Sequence, residues 1–295
     1  MIDLHIHTTA SSDGQYTPRE IFAMARSMGL TAIAFADHNS VGGVEEGLNL
    51  SREFGIDFIP CLELNSLFKE YDLHILGYFI EHDNQGLISW LEEIHREKEL
   101  QAKKRIEKLQ SLRFILTAGD VETFSRGRMP TGVSYLKAIL SRKENKNDPR
   151  LVAYTRGERS DSPYVNFYLD YLRGGKPAFV PLNMMETPQV IRKVKKFGGV
   201  PVLAHPSDTE ERDIRELIAH GLCGLEVYSS YHTPEQEKRF LSIVYEYNLV
   251  ATAGSDFHGE TEKPDVKLAG IRGNKEELVM RLKEFREKMR SEGLK

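Results

Sequence analysis

The chain has 295 residues, 40% of them hydrophobic, enough for one large core and compatible with one or two domains. Its 40 basic and 44 acidic side chains give a formal charge of −4, which excludes attachment to nucleic acid through a general basic field but permits a local basic patch. The only cysteines, Cys61 and Cys223, have no C-x-x-C spacing, which excludes a disulfide scaffold and a thiolate zinc site and points to a reducing, cytoplasmic compartment.

The first residues show neither a basic n-region nor an apolar h-region, so no secretory leader is expected. No apolar run approaches the roughly 20 residues that span a bilayer. Ile2 to Thr8 alternates as a strand. Thr17-Pro18-Arg19-Glu20 then reads as a capping box with proline at N1, opening a helix that carries Ile21, Phe22, Ala25 and Met28 on one face and stops at Gly29. Thr31 to Ala36 is a short strand, Gly42 to Phe54 a helix, and Ile56 to Leu64 and Leu73 to Ile80 are strands. From Gln85 to Gly175 the rhythm breaks. Long charged helical stretches there are interrupted by loops such as Ser125-Arg126-Gly127-Arg128, and the Glu92 to Lys108 run reads as a solvated helix face with i,i+4 pairs. Alternation then returns with a helix over Thr187 to Phe197, a strand over Val200 to Ala204, a helix over Thr209 to His220, a strand over Gly224 to Tyr228, a helix over Pro234 to Tyr247 and a strand over Leu249 to Ala253. Such alternation implies parallel strands with helices outside, as a doubly wound sheet or a β/α barrel. Residues 1–84 and 176–295 are expected to form one α/β core, and 85–175 a helical insertion or lid.

His5-Ile6-His7 carries the strongest chemical signal. Residues two apart on a strand share a face, so both imidazoles can address one ion. Alone, H-x-H is weak. Its company is not: Asp13 follows in a loop, Asp37-His38 follows the second strand, Glu63 ends the next, His74 lies early in another, His205-Pro206 ends a fourth, and Asp256 and His258 follow the last. Parallel α/β folds collect functional groups at the carboxyl ends of their strands, so these donors should converge. Asp37 reads as a partner that orients His38 rather than as a ligand. His232, between a strand and a helix, is placed at the rim of the site as a candidate for substrate binding or proton transfer. A G-x-S-x-G elbow, a P-loop and a G-x-G-x-x-G fingerprint are all missing from the sequence.

These residues resemble the PHP family, the polymerase and histidinol phosphatase domain. The likeness is carried by Asp3-Leu-His-Ile-His-Thr, Ser12-Asp13-Gly14, Ala36-Asp37-His38, Leu62-Glu63, His74-Ile-Leu-Gly-Tyr78, Leu203-Ala-His-Pro206, Gly224-Leu-Glu-Val-Tyr228 and Gly254-Ser-Asp-Phe-His-Gly259, in family order. The resemblance implies a distorted seven-stranded (β/α)7 barrel and two to three divalent cations, with Mn, Fe or Zn suited to mixed imidazole and carboxylate donors. His5, His7, Glu63 and Asp256 would take the first cation. Glu63 would bridge to a second held by His74 and His205, and Asp13, His38 and His258 would take a third.

The implied activity is phosphoester hydrolysis by hydroxide generated at the cations, where the pKa of water falls from about 15.7 to near 7. Asp256 and His232 are the candidates for proton transfer. The subgroup with a helical insertion is similar to phosphatases acting on nucleoside 3′,5′-bisphosphates and on the 5′ ends of short RNA. There an arginine followed two residues later by histidine reaches the substrate. Here Arg128-Met129-Pro130 supplies the arginine, with Arg126 beside it, but proline stands in the place of the histidine. A small phosphorylated substrate, nucleotide or short RNA, is therefore expected, with no membrane and no stable DNA partner. Histidinol phosphatase chemistry, amidohydrolysis and a non-catalytic metal or nucleotide sensor are the competing readings.

Overall fold

The computed structural model describes residues 1–69, 71–182, 185–273 and 275–292. Strand β1 (Ile2–Ile6) is followed by α1 (Pro18–Ser27), which starts on a complete capping box: Thr17 Oγ1 accepts from the Glu20 N–H and the Glu20 carboxylate accepts from the Thr17 N–H. Gly29 stands just past the helix at φ +72°, a left-handed conformation that glycine adopts without a Cβ penalty.

Next come β2 (Ala32–Phe35), α2 (Val44–Phe54), β3 (Asp57–Phe58), β4 (Glu63–Phe68) and β5 (Tyr71–Tyr78). The strand expected over Ile56 to Leu64 is therefore two strands. The first runs beside β2, and the second starts at Glu63 and folds straight back on itself as a hairpin with β5. The long α3 (Gln85–Ser111) leads through α4 (Ala118–Ser125), α5 (Gly132–Ser141), α6 (Pro149–Thr155) and α7 (Pro163–Phe167). Alternation resumes with α8 (Thr187–Lys196), β6 (Val200–Leu203), α9 (Glu211–Ala219), β7 (Gly224–Ser229), α10 (Pro234–Glu246), β8 (Val250–Gly254) and α11 (Glu276–Ser291).

One sheet has the order β1-β2-β3 and the other β4-β5-β6-β7-β8. Backbone pairs just beyond the strand ends join them. His7 N–H donates to the Phe257 carbonyl at 2.8 Å after β8, and Asn39 N–H donates to the Glu63 carbonyl at 2.7 Å after β2. A ring of seven strands, β1-β2-β4-β5-β6-β7-β8, results, with β3 laid beside β2. This is a distorted β/α barrel. It is not all-parallel as the alternation suggested, because β4–β5 and β5–β6 pair antiparallel.

The period of two along β1 sorts its side chains. Ile2, Leu4 and Ile6 pack into apolar clusters with helices and neighbouring strands, while His5 and His7 share the opposite face, toward the barrel interior. Each such buried aliphatic side chain contributes about 1.5–3 kcal/mol relative to exposure, so exchanging the two faces of β1 is not an option. Residues from Ala102 to Ala178 form an apolar cluster of their own, and the first half of α3, including Trp90 and Ile94, packs on the barrel. Helix α3 is thus not the solvated face its charges suggested: Gln101, Ala102, Arg105, Ile106 and Leu109 are buried along it. Among the described residues no helix is long and apolar enough to cross a membrane.

Candidate metal centre

Strand β1 delivers His5 and His7 with their Nε2 atoms 3.2 Å apart. Across from them stand Glu63 at the start of β4 and Asp256 just after β8. Glu63 Oε2 lies 3.5 Å from His5 Nε2 and 3.3 Å from His7 Nε2, and Asp256 Oδ1 lies 3.3 and 3.2 Å from the same two atoms. The other oxygen of Glu63 faces a different pair, with Oε1 2.8 Å from His74 Nδ1 and 3.2 Å from His205 Nε2. A third group lies beside the first. Asp13 Oδ2 is 3.6 Å from His38 Nε2 and 3.8 Å from His258 Nε2, and the His7 and His258 rings stack at 3.8 Å. The structure thus brings together all nine residues singled out as ligands. Three sets have donor atoms within 4.8 Å of one another: His5, His7, Glu63 and Asp256; His7, Asp13, His38 and His258; and His38, Glu63 and His74.

Divalent cations fit this donor set. The buried atoms His7 Nδ1, His38 Nδ1 and Glu63 Oε2 have no hydrogen-bond partner, although His38 Nδ1 stands only 3.1 Å from Glu63 Oε2. Buried polar atoms are seldom left unpaired, and close lone pairs that cannot bond one another suit a shared cation. The electrostatics agree. Burial opposes ionisation of Glu63, yet His74, His38 and His5 hold its carboxyl well below the usual range. Burial likewise opposes ionisation of Asp256, and Lys263, His258 and His5 hold it low.

Residues outside the predicted set hold the cluster in place. Glu226 on β7 is fully buried. Its Oε1 accepts from His5 Nδ1 at 3.0 Å, and its Oε2 from the His205 backbone N–H at 2.8 Å. A carboxylate behind a metal-ligating imidazole fixes its tautomer and orientation. Asp3 holds the Asp256 loop, accepting from the Ser255 N–H at 2.9 Å and its hydroxyl at 2.5 Å. Tyr231 Oη and Lys263 Nζ both donate to Asp256 Oδ2, at 2.7 and 2.5 Å. The Gly224-Leu-Glu-Val-Tyr228 motif was a signal for Glu226. Lys263 sits in a polar stretch with no pattern to betray it.

Other expected roles fall elsewhere. Asp37 does not orient His38, because its two oxygens accept from the N–H and hydroxyl of Thr8 at 2.7 and 2.8 Å. His232 is buried off the cavity; its Nδ1 donates to the Val227 carbonyl at 2.8 Å and its ring lies against Phe240. Its chain position at a strand end is right for the rim, but its side chain turns inward to the α10 packing. Arg126 and Arg128 are exposed, and their guanidinium groups donate to the Gly14 and Ser11 carbonyls at 3.2 and 3.4 Å. Arg128 borders a recess of about 310 Å³ that includes His38 and Lys98, while Arg126 borders no described cavity. The candidate ligands open into a larger cavity of about 740 Å³, whose far wall is built by α3 and the segments around Thr131, Tyr168 and Val180.

Residues 3–137 match the family described as PHP domain. Among curated proteins the chain is 26% identical to a 5′-3′ exoribonuclease of Haemophilus influenzae, over 87% of this chain and 89% of that one. It is also 26% identical to a phosphoribosyl 1,2-cyclic phosphate 1,2-diphosphodiesterase of Eggerthella lenta (88% and 94% covered) and to a 3′,5′-nucleoside bisphosphate phosphatase of Chromobacterium violaceum (88% and 88%). Among solved structures, a Bifidobacterium adolescentis protein assigned to the metal-dependent phosphoesterases superposes with a TM-score of 0.74 at 27% identity, covering 95% of this chain and 94% of the other.

Proposed function

Because this chain belongs to the PHP family of metal-dependent phosphoesterases, we propose that it hydrolyses phosphate monoesters, with the 3′-phosphate of a nucleoside 3′,5′-bisphosphate as its preferred target and short RNA attacked from the 5′ end as an extended substrate. The observation that carries this reading is Glu63, which turns one oxygen to His5 and His7 and the other to His74 and His205 at the floor of a cavity large enough for a nucleotide. The relatives that cleave nucleotide and RNA phosphoesters support the same substrate class.

In this reading His5, His7, Glu63 and Asp256 hold one cation, Glu63, His74 and His205 a second, and Asp13, His38 and His258 a third. Divalent cations held there would supply the Lewis acidity that turns water into a nucleophile and offsets charge on the phosphoryl group. The protein supplies position. Glu226 sets the His5 ring and the His205 backbone, Asp3 fixes the loop that carries Asp256, and Tyr231 and Lys263 occupy the outer oxygen of Asp256 so that Oδ1 faces His5 and His7. With its carboxyl held low, Asp256 stays ionised, which suits a ligand rather than a proton donor. Arg128, at the smaller recess beside His38, is positioned to meet phosphate oxygens with its planar fork of donors.

The test is phosphate release by the purified protein with Mn²⁺, Fe²⁺ or Zn²⁺ from an adenosine 3′,5′-bisphosphate, histidinol phosphate and an aryl phosphate. The bisphosphate is expected to turn over fastest, and His7→Ala and Asp256→Ala to abolish turnover with the fold retained by circular dichroism. Absence of release from every ester with every cation, or undiminished turnover in both variants, refutes the assignment.

A further inference from the structure

Helix α3 presents to the cavity three polar side chains that the metal centre does not use. Lys98, Gln101 and Arg105 are spaced i, i+3 and i+7, so one helix face carries all three, and all three line the 740 Å³ cavity. Gln101 is committed, with its Nε2 donating to the Val180 carbonyl at 2.6 Å. Neither cation has a carboxylate at ion-pair distance among the described residues, and Asp13, Asp72 and Glu63 act on Lys98 only from further off. Lys98 Nζ donates to the neutral Asn65 amide oxygen at 2.5 Å. Arg105 is only 8% exposed; it meets the phenol of Tyr135, and its Nε has no hydrogen-bond partner. Among the described residues neither Lys98 nor Arg105 forms an ion pair.

Buried guanidinium groups are almost always paired, because the low-dielectric interior does not replace the water they lose. Two cations on one helix face, one of them buried with a free donor, are therefore built to receive an anion from outside the chain. The shape of the cavity says which kind. Its volume of about 740 Å³ far exceeds that of one phosphate, and its lining includes the aromatic rings of Tyr164, Tyr168 and Phe179. Lys98 also borders the smaller recess with His38 and Arg128, so it stands where the two recesses meet.

We propose that Lys98 and Arg105 form a second anion subsite, which holds the phosphate that is not hydrolysed in a nucleotide carrying two separate phosphates. This assignment rests on the phosphoesterase reading above and deepens it, making Lys98 and Arg105 the residues that select a bisphosphate over a monophosphate. They do so from the insertion, at a different place from Arg128.

Two measurements test it. Turnover of a nucleoside 3′,5′-bisphosphate and of a nucleoside 3′-monophosphate is compared in the Mn²⁺-loaded parent, Arg105→Gln and Lys98→Gln. The ratio of the two kcat/KM values is expected to fall about tenfold to a hundredfold in each variant, mainly through KM, as befits a lost charge-assisted bond. Calorimetric binding of adenosine 5′-monophosphate to the metal-free protein should weaken by a similar factor. Should Arg105→Gln fail to fold, the more accessible Lys98→Gln still decides the matter. A ratio unchanged in the folded variants, or an equal loss on both substrates, overturns the subsite and leaves the phosphatase assignment standing. Conversely, no turnover of any ester by the parent sinks that assignment, while Arg105-dependent binding of adenosine 5′-monophosphate would still uphold the subsite.

Discussion

Glu226→Gln isolates the buried support of the metal centre, because the amide keeps the shape of the side chain and removes only its charge and one acceptor. Fully buried on β7, Glu226 accepts two bonds, from His5 Nδ1 at 3.0 Å and from the His205 backbone N–H at 2.8 Å. A hydrogen bond to a charged acceptor contributes about 1.5–3 kcal/mol. The amide has one oxygen for two donors, so its NH₂ group must face either the imidazole or the backbone N–H. One bond is lost and the other weakened. A net loss of about 1.5–3 kcal/mol corresponds to roughly ten- to a hundredfold, the range expected when the partner of a metal-ligating imidazole is removed.

The second bond also pins His205 at φ +27°, a backbone value that ordinary side chains avoid and that needs outside support. Mn²⁺ affinity measured by titration calorimetry, and kcat/KM on the best ester, should each fall by about that factor, with the fold retained. pH supplies an internal check. Burial pushes the His5 imidazole down, but Glu226, then Glu63 and Asp256, raise it well above its ordinary value. Protons therefore compete with cations for His5 more strongly in the parent as pH falls. The deficit of the variant should be larger at pH 8 than at pH 6. Mn²⁺ binding by Glu226→Gln within twofold of the parent across that range would show that Glu226 does not position the site.

Three further outcomes are expected. Gly254→Ala would place a Cβ 2.2 Å from His5 Cβ and 2.7 Å from the His5 backbone nitrogen, so thermal denaturation should show a loss of at least about 1–3 kcal/mol together with lost metal binding; an unchanged midpoint contradicts the close approach of β8 to β1. Burial, reinforced by Arg105, lowers the Lys98 ammonium from 10.5 to about 8, so the penalty this group places on folding at lower pH is progressively relieved as pH rises from about 8 to 10.5. Acylation of Lys98, followed by peptide mass spectrometry, should accordingly titrate near pH 8, and a profile matching the exposed Lys103 rules the burial out. Finally, cations that bind only the folded chain should raise the denaturation midpoint, by about 2.7 kcal/mol of stabilisation at a concentration one hundred times Kd. That gain should vanish in His7→Ala, and a parent midpoint indifferent to Mn²⁺, Fe²⁺ and Zn²⁺ speaks against a cation site.

The ligand set was legible because its signals are local and periodic. His5 and His7 share a strand face by the period of two, and the other donors each fall at a strand edge or in the loop beyond it. The direction of β5 was legible in principle. Parallel neighbours need a crossover of a dozen or more residues, and too few separate Glu63 from His74 for one. Lys69 turns that corner at φ +56°, and the hairpin follows. Two other features were hidden for different reasons. His232 has the right chain position, yet a single bond to the Val227 carbonyl aims its ring away from the cavity, and the sequence carries no record of a side-chain rotamer. On α3, charges occur on every face, so Lys98 and Arg105 look like their solvated neighbours until the segments around Tyr135 and Val180 close over one side.

The electrostatics of the cluster explain why these donors tolerate one another. Burial lowers the His7 imidazole, but the neighbouring carboxylates of Asp256 and Glu63 outweigh it and raise the group to about 9. His38 lies 4.7 Å away, centroid to centroid, and burial pushes it down to about 3. At neutral pH one ring therefore demands a proton and its neighbour refuses one, while His258, stacked on His7, is also driven well below its ordinary value by burial and by His7 itself. Protons satisfy the carboxylates only by charging rings that stand against each other. Cations shared among the rings and carboxylates remove the conflict, because each imidazole then stays neutral and gives its lone pair to the ion. On this account, chelation should destabilise the protein most above about pH 9, where His7 gives up the proton that stands in for the missing charge, and less at neutral pH, where protonated His7 still balances Glu63 and Asp256. Equal destabilisation by chelator at pH 7 and pH 10 would count against cations as the balancing charge.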